Sequence, residues 1–167
     1  MAMRIRTYLE CYTKRTIQKG SWCPECKSTS KLEQICKRIV ELLFNEEFIR
    51  IRPKWLSSEE TKGNLEIDIY NEKLKLCIEV NGKQHYEYIQ FFHRTEENFI
   101  ELQKRDKIKE QLIKKRKLKL IIVPYTVKYN EALDFIINKC NELKVKLGEI
   151  DKNKIRKNMN DFIKTVH

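Results

Sequence analysis

Leu65-Glu66-Ile67-Asp68-Ile69-Tyr70-Asn71-Glu72-Lys73-Leu74-Lys75-Leu76-Cys77-Ile78-Glu79-Val80-Asn81-Gly82 is the stretch on which the fold turns. Leu65, Ile67 and Ile69 alternate with Glu66, Asp68 and Tyr70, the period of a strand. After Asn71-Glu72-Lys73 the alternation resumes. Leu74, Leu76, Ile78 and Val80 face one way; Lys75, Cys77, Glu79 and Asn81 face the other. Two such runs separated by a short polar segment predict a hairpin, closed off by Asn81-Gly82. A turn centred between Glu72 and Lys73 sets Asp68 opposite Cys77. Glu79 is then its diagonal neighbour on the same face, ~7–8 Å away at Cα. A slip of one residue would separate the two carboxylates, so the site depends on register.

Helices flank the hairpin on both sides in the sequence. Upstream, Leu32, Ile35, Ile39, Leu42 and Leu43 recur at helical spacing, and Ser30 with Glu33 forms a capping-box pattern. Downstream, the aromatic stretch from Tyr86 to Phe92 leads into a long basic helix from about Thr95 to Arg116. Leu118 to Val123 is almost unbroken apolar and ends at Pro124, the pattern of a central strand covered on both faces. Leu133, Ile136, Ile137, Cys140 and Leu143 predict another helix, and Ile155, Met159, Phe162, Ile163 and Val166 a last one. The order is helix, strand, strand, helix, strand, helix, helix, an α/β fold with a mixed sheet. The reading divides the chain into a cysteine-bearing segment at 1–29, a core at 30–147 and a C-terminal amphipathic helix at 148–167.

The 167 residues carry 35 Lys and Arg against 24 Asp and Glu, a net charge of +11. That excess points to a polyanionic partner, nucleic acid before others, although composition does not by itself separate it from an anionic membrane surface. No apolar run approaches the ~20 residues of a membrane span, and Met1 to Glu10 lacks a signal-peptide core, so the expectation is an intracellular chain, cytoplasmic or nuclear, without membrane contact. Six cysteines in that setting read as thiols or metal ligands rather than disulfides.

Asp68 and Glu79 on one face of a hairpin suit Mg²⁺ or Mn²⁺, hard ions that take carboxylate oxygens and keep part of their water. Such an ion polarises a phosphate and acidifies a bound water. His85 lies just past the Asn81-Gly82 turn. A histidine titrates near neutrality and can take the proton of an attacking water. Asp106 on the next helix is placed to orient that imidazole. Glu33 reads either as a helix cap or as a further carboxylate of the same pocket.

In order along the chain stand Cys23-Pro-Glu-Cys26, Ser30-Lys-Leu-Glu33, Leu65-Glu-Ile-Asp68, Ile78-Glu-Val-Asn-Gly-Lys-Gln-His-Tyr86, Phe92-His-Arg94, Lys104-Arg-Asp-Lys-Ile-Lys109 and Leu120-Ile-Ile-Val-Pro-Tyr125. Over about residues 20–125 this set resembles the PD-(D/E)XK, or restriction-endonuclease-like, nuclease superfamily. The branch is that of the very-short-patch-repair endonucleases and certain phage homing endonucleases with an E, D, x, H, D order. The resemblance implies a restriction-endonuclease-like core and metal-dependent phosphodiester hydrolysis, with Glu33, Asp68, Glu79, His85 and Asp106 as the catalytic set. One position departs from the superfamily. Its usual lysine, two residues after the second acid, is here Asn81, so the positive charge falls to Lys83, to Lys109 or to the metal.

Cys23 and Cys26 make half of a zinc site, and Cys11 is a candidate third ligand. A fourth is not visible, since no histidine precedes position 85, and the segment reads either as a degenerate structural Zn²⁺ ribbon or as a plain turn. Cys36, Cys77 and Cys140 read as core thiols, and His93 and His167 as surface residues. Nine basic residues between Lys104 and Lys119, among them Lys104, Arg105, Lys109, Lys114, Lys115 and Arg116, form a solvated face or, with Lys83, a phosphate track. Tyr86, Tyr88, Phe91 and Phe92 either stack on bases or pack beneath their loop. The expectation is a metal-dependent endonuclease acting on DNA. A ribonuclease, or an idle nucleic-acid-binding module on the same fold, is the competing reading.

Overall fold

A computed structural model describes residues 30–61 and 63–166. Cys11, Cys23 and Cys26, the whole 1–29 segment and His167 lie outside the described residues. From Lys31 onward the chain forms one compact unit. Its elements are α1 (Lys31–Phe44), β1 (Ile49–Ile51), β2 (Ile67–Asn71), β3 (Leu76–Asn81), a short 3₁₀ turn (Lys83–His85), α2 (Gln90–His93), α3 (Glu96–Lys115), β4 (Lys119–Pro124), α4 (Ala132–Glu142) and α5 (Lys152–Thr165). None of the described helices is long and apolar enough to cross a membrane.

The four strands form one mixed sheet in the order β1-β2-β3-β4. β1 and β2 pair antiparallel, as do β2 and β3, whereas β3 and β4 run parallel. Helices cover both faces. On one, Ile69, Leu76, Ile78, Ile121 and Val123 pack with the apolar stripes of α1 and α4 and with Ile155 and Met159 of α5. On the other, Leu56, Leu65, Ile67, Tyr70 and Cys77 enclose Ile113 of α3. Burying each aliphatic side chain of these clusters contributes roughly 1.5–3 kcal/mol. Residues 148–166 are therefore continuous in packing with the core through α5. Cys36, Cys77 and Cys140 are buried, and burial pushes their thiols up to about 12, about 12 and about 11, so they remain protonated.

Three sequence expectations are corrected. The hairpin pairs Ile69 with Ile78, Tyr70 with Cys77 and Asn71 with Leu76, so the register lies two residues from the one expected. The turn is longer because Asn71 organises it. Its side chain accepts from Leu74 N–H at 2.8 Å and donates to the Glu47 carbonyl at 2.8 Å, while Lys75 closes the turn at φ 51°. Continued by one pair, this register sets Asp68 opposite Glu79 rather than opposite Cys77.

Second, β4 is an edge strand of the sheet among the described residues, not a central one. Its apolar run reflects helices on both faces, but only Ile121 and Val123 are fully buried. Third, His93 is 4% exposed, not a surface residue. Its ring lies 5.7 Å from that of Tyr88 and 4.9 Å from that of Phe99. Its Nε2–H donates to the Gln84 carbonyl at 2.9 Å, and Nδ1 accepts from Ile89 N–H at 2.9 Å.

Candidate active site

The alternation of β2 is broken at Asp68. Leu65 and Ile67 pack on the α3 side, but Ile69 packs on the α1 side, although all three share one parity. The pairing with β1 explains this. Ile49 faces Tyr70 and Ile51 faces Ile67, so two steps on β1 span three on β2. The extra residue makes a β-bulge, a feature that re-aims a side chain. Backbone pairing between β2 and β3 stops at Ile69 and Ile78. The Asp68 carboxylate takes over and accepts from Val80 N–H at 3.1 Å.

Beside it Glu79 is 7% exposed. One of its oxygens is ion-paired with Lys109 of α3; the other, Oε1, is buried with no hydrogen-bond partner. Burial pushes the Glu79 carboxyl up to about 8, Lys109 opposes that rise, and Asp68 adds to it. A carboxylate held against another acid, with one oxygen unsatisfied, is costly for the fold and signals a site built for something else.

α3 delivers two further groups. Asp106, Lys109 and Ile113 are spaced three and four apart and share a face. Ile113 anchors that face in the core. Lys109 meets Glu79, and Asp106 Oδ2 lies 2.7 Å from His85 Nδ1. An ionised Asp106 holds the Nδ1 proton, which leaves the lone pair of Nε2 as the acceptor. His85 itself sits on the 3₁₀ turn after β3. That turn is tied down by the bond from His93 to the carbonyl of Gln84, the neighbouring residue.

Glu33 is 9% exposed and is ion-paired with Arg50, which also lies 3.6 Å from Glu66. Burial works against the Arg50 charge, but Glu33, Glu66 and Asp68 outweigh it and its pKa is raised. Glu33 is thus linked to the Asp68 side of the site through an arginine. Sequence reasoning missed Arg50. Its signal was the alternation Ile49-Arg50-Ile51-Arg52 ahead of Pro53.

Of the expected cations, Lys109 is drawn into the site, whereas Lys83 is exposed and pairs with Glu87 at 3.1 Å. Lys104, Arg105, Lys114 and Lys115 lie exposed on α3. Arg116 stacks its guanidinium 4.8 Å over Trp55. Phe91 and Phe92 do not pack beneath their loop; they are 85% and 59% exposed and meet edge to face at 5.2 Å.

The chain is similar to viral proteins. It is 38% identical over 114 residues to "Uncharacterized protein 033L" of Invertebrate iridescent virus 3, covering 68% of this chain and 59% of that protein. It is 39% identical over 129 residues to "Uncharacterized protein 307L" of Invertebrate iridescent virus 6, covering 68% and 64%. Against "Uncharacterized protein 094L" of Frog virus 3 the identity is 39% over 102 residues, covering 60% and 66%. The chain thus spans roughly three fifths to two thirds of the length of these relatives. No family model matches the chain, and no solved structure does.

Proposed function

We propose that the chain is a metal-dependent nuclease, built on a restriction-endonuclease-like core, that hydrolyses phosphodiester bonds in DNA. The observation that carries this reading is the buried, unpartnered Glu79 Oε1 beside Asp68. The order helix, three strands, helix, strand around a mixed sheet supports the fold assignment.

Asp68 and Glu79 would hold Mg²⁺. Among the described residues no group of three or more His, Cys, Asp or Glu side chains gathers for a metal, so this reading rests on the two carboxylates alone. That donor set fits an ion that keeps most of its coordination as water and substrate oxygen, and it fits a structural zinc badly. When bound, Mg²⁺ supplies Lewis acidity at the phosphate and acidity at a coordinated water. Lys109, brought in from α3 rather than from β3, would take the part of the missing lysine. It holds one Glu79 oxygen and sets a positive charge beside the phosphate. His85 accepts the proton of the attacking water at Nε2, and Asp106 fixes the tautomer that leaves Nε2 free.

The raised Glu79 pKa gives this reading a test that needs no substrate. Burial and the neighbouring Asp68 raise the Glu79 carboxyl to about 8 against the opposing Lys109, so a proton competes with the ion for it. The ion requires the carboxylate, so binding releases a proton. Mg²⁺ affinity, measured by calorimetry, is expected to rise about tenfold per pH unit up to about pH 8 and then level off. An affinity that stays flat from about pH 6 to about pH 9 would mean that no proton leaves Glu79 on binding, and a Glu79→Gln variant that binds Mg²⁺ undiminished would remove Glu79 from the ligand set.

Substrate binding is assigned to the phosphate track on α3. Lys114→Ala with Lys115→Ala is expected to weaken binding on every duplex sequence and to reduce the salt slope by ~0.9 for each phosphate no longer neutralised. An unchanged slope places the binding face elsewhere.

A further inference from the structure

The C-terminal ends of the parallel strands β3 and β4 lie side by side, with Asn81 opposite Pro124. Open α/β sheets take ligands in the crevice outside such ends. Tyr86, next to His85, and Tyr125, next to Pro124, meet there with ring centroids 5.9 Å apart. The Tyr125 hydroxyl donates to the Glu87 carboxylate at 2.8 Å and fixes the second ring. Beyond Tyr125, the loop 125–130 and residues Asn160, Ile163 and Lys164 of α5 wall a cleft of about 650 Å³. Tyr129 stands in that wall, with the Lys31 ammonium 5.4 Å from its ring centroid.

Tyr86, Tyr125 and Tyr129 are 45%, 39% and 43% exposed. Tyr125 and Tyr129 in the wall of the cleft, and Tyr86 packed against Tyr125, each about half in water, are poorly used as core. Rings flanked by lysines are the platform on which unpaired bases stack. Lys31 supplies one cation. Lys128 and Lys164 supply two more, since their exposed pairs with Glu131 and Asp161, at 3.5 and 3.8 Å, are of the weak kind that a phosphate displaces. Asn130 and Asn160 each bring a donor and an acceptor to the cleft, enough to meet a base edge. The volume lies within the ~300–1,000 Å³ of small-ligand sites, room for a nucleotide or two and not for a duplex. A duplex also hides the base faces that the rings would cover.

We propose that Tyr86, Tyr125 and Tyr129 form a stacking track for single-stranded nucleic acid, leading from His85 into the cleft between the loop 125–130 and α5. The track deepens the nuclease reading and rests on it, because it assigns the substrate an unpaired segment beside the cut. The test is fluorescence anisotropy with the full chain in EDTA, where cleavage plays no part. The probes are a labelled oligothymidylate of about a dozen nucleotides, within the ~4–16 that a single-strand site spans, and a duplex of equal length. The oligothymidylate is expected to bind more tightly than the duplex. Tyr125→Ala and Tyr129→Ala are each expected to weaken oligothymidylate binding about tenfold, the effect of removing one stacking partner, with duplex binding unchanged. Tyr129→Phe, which keeps the ring at an exposed position, is expected to bind as wild type. Equal affinity for both probes, or alanine variants that bind oligothymidylate undiminished, would overturn the track. Neither result depends on cleavage, so a track that survives while the protein fails to cut would count against the nuclease reading alone.

Discussion

Asp68→Asn is expected to reduce metal-dependent cleavage by a factor on the order of 10³ or more, since the Lewis acidity of a bound ion contributes several kcal/mol to the transition state. The substitution is close to isosteric. The asparagine Oδ1 can still accept from Val80 N–H, the bond that Asp68 makes at 3.1 Å, so the bulge and the fold should survive. What disappears is one of the two negative charges proposed to hold the ion. Nucleic-acid binding should be almost unchanged, because the exposed cations of α3 are untouched. A variant that loses binding and cleavage together would point to misfolding, which a melting curve detects. A well-folded variant that cuts at the wild-type rate would mean that the site is not at Asp68.

His85→Ala is expected to slow cleavage ~10²–10⁴-fold, the usual worth of a positioned general base. Mg²⁺ binding should persist, since His85 contacts Asp106 and not the carboxylates of β2 and β3. Asp106→Asn should slow the reaction through the same imidazole, because an amide there can donate to Nδ1 and so release the wrong tautomer. Single-turnover rates at saturating Mg²⁺ separate this effect from an empty metal site. Wild-type turnover by His85→Ala would assign water activation to the metal or to Lys109.

The secondary structure was legible wherever a period ran long enough. The alternations around Asp68 and Glu79, and the stripes of α1, α4 and α5, became the elements expected of them. β1 was missed because Ile49–Ile51 is three residues long, too short to show a period. The register was misjudged because Asn71 folds its side chain into the turn, a bond that no alternation pattern announces. The bulge at Asp68 was hidden for a related reason. Leu65, Ile67 and Ile69 look like one face in sequence but are split between two cores in space.

The site was readable as a set of residue types but not as a set of partners. Asp106 was expected to orient His85 because a carboxylate commonly does so and the family resemblance implies it, and the two lie 2.7 Å apart. The sequence left Lys83, Lys109 and the metal as alternatives for the positive charge, and the packing of Ile113 on the same helix face turns Lys109 inward to Glu79. His93 was expected at the surface from its type, yet its two ring nitrogens meet the backbone of Gln84 and of Ile89, on either side of His85. Partnerships of this kind depend on tertiary approach across 9 to 30 residues, for which local sequence carries little signal.

Incubation of supercoiled plasmid with the purified chain, in Mg²⁺ and in EDTA, tests the central claim most directly. The account predicts nicked or linear product in Mg²⁺, none in EDTA, and none with Asp68→Asn in either. Intact plasmid in Mg²⁺ with well-folded protein, or cutting that continues in EDTA, would contradict it.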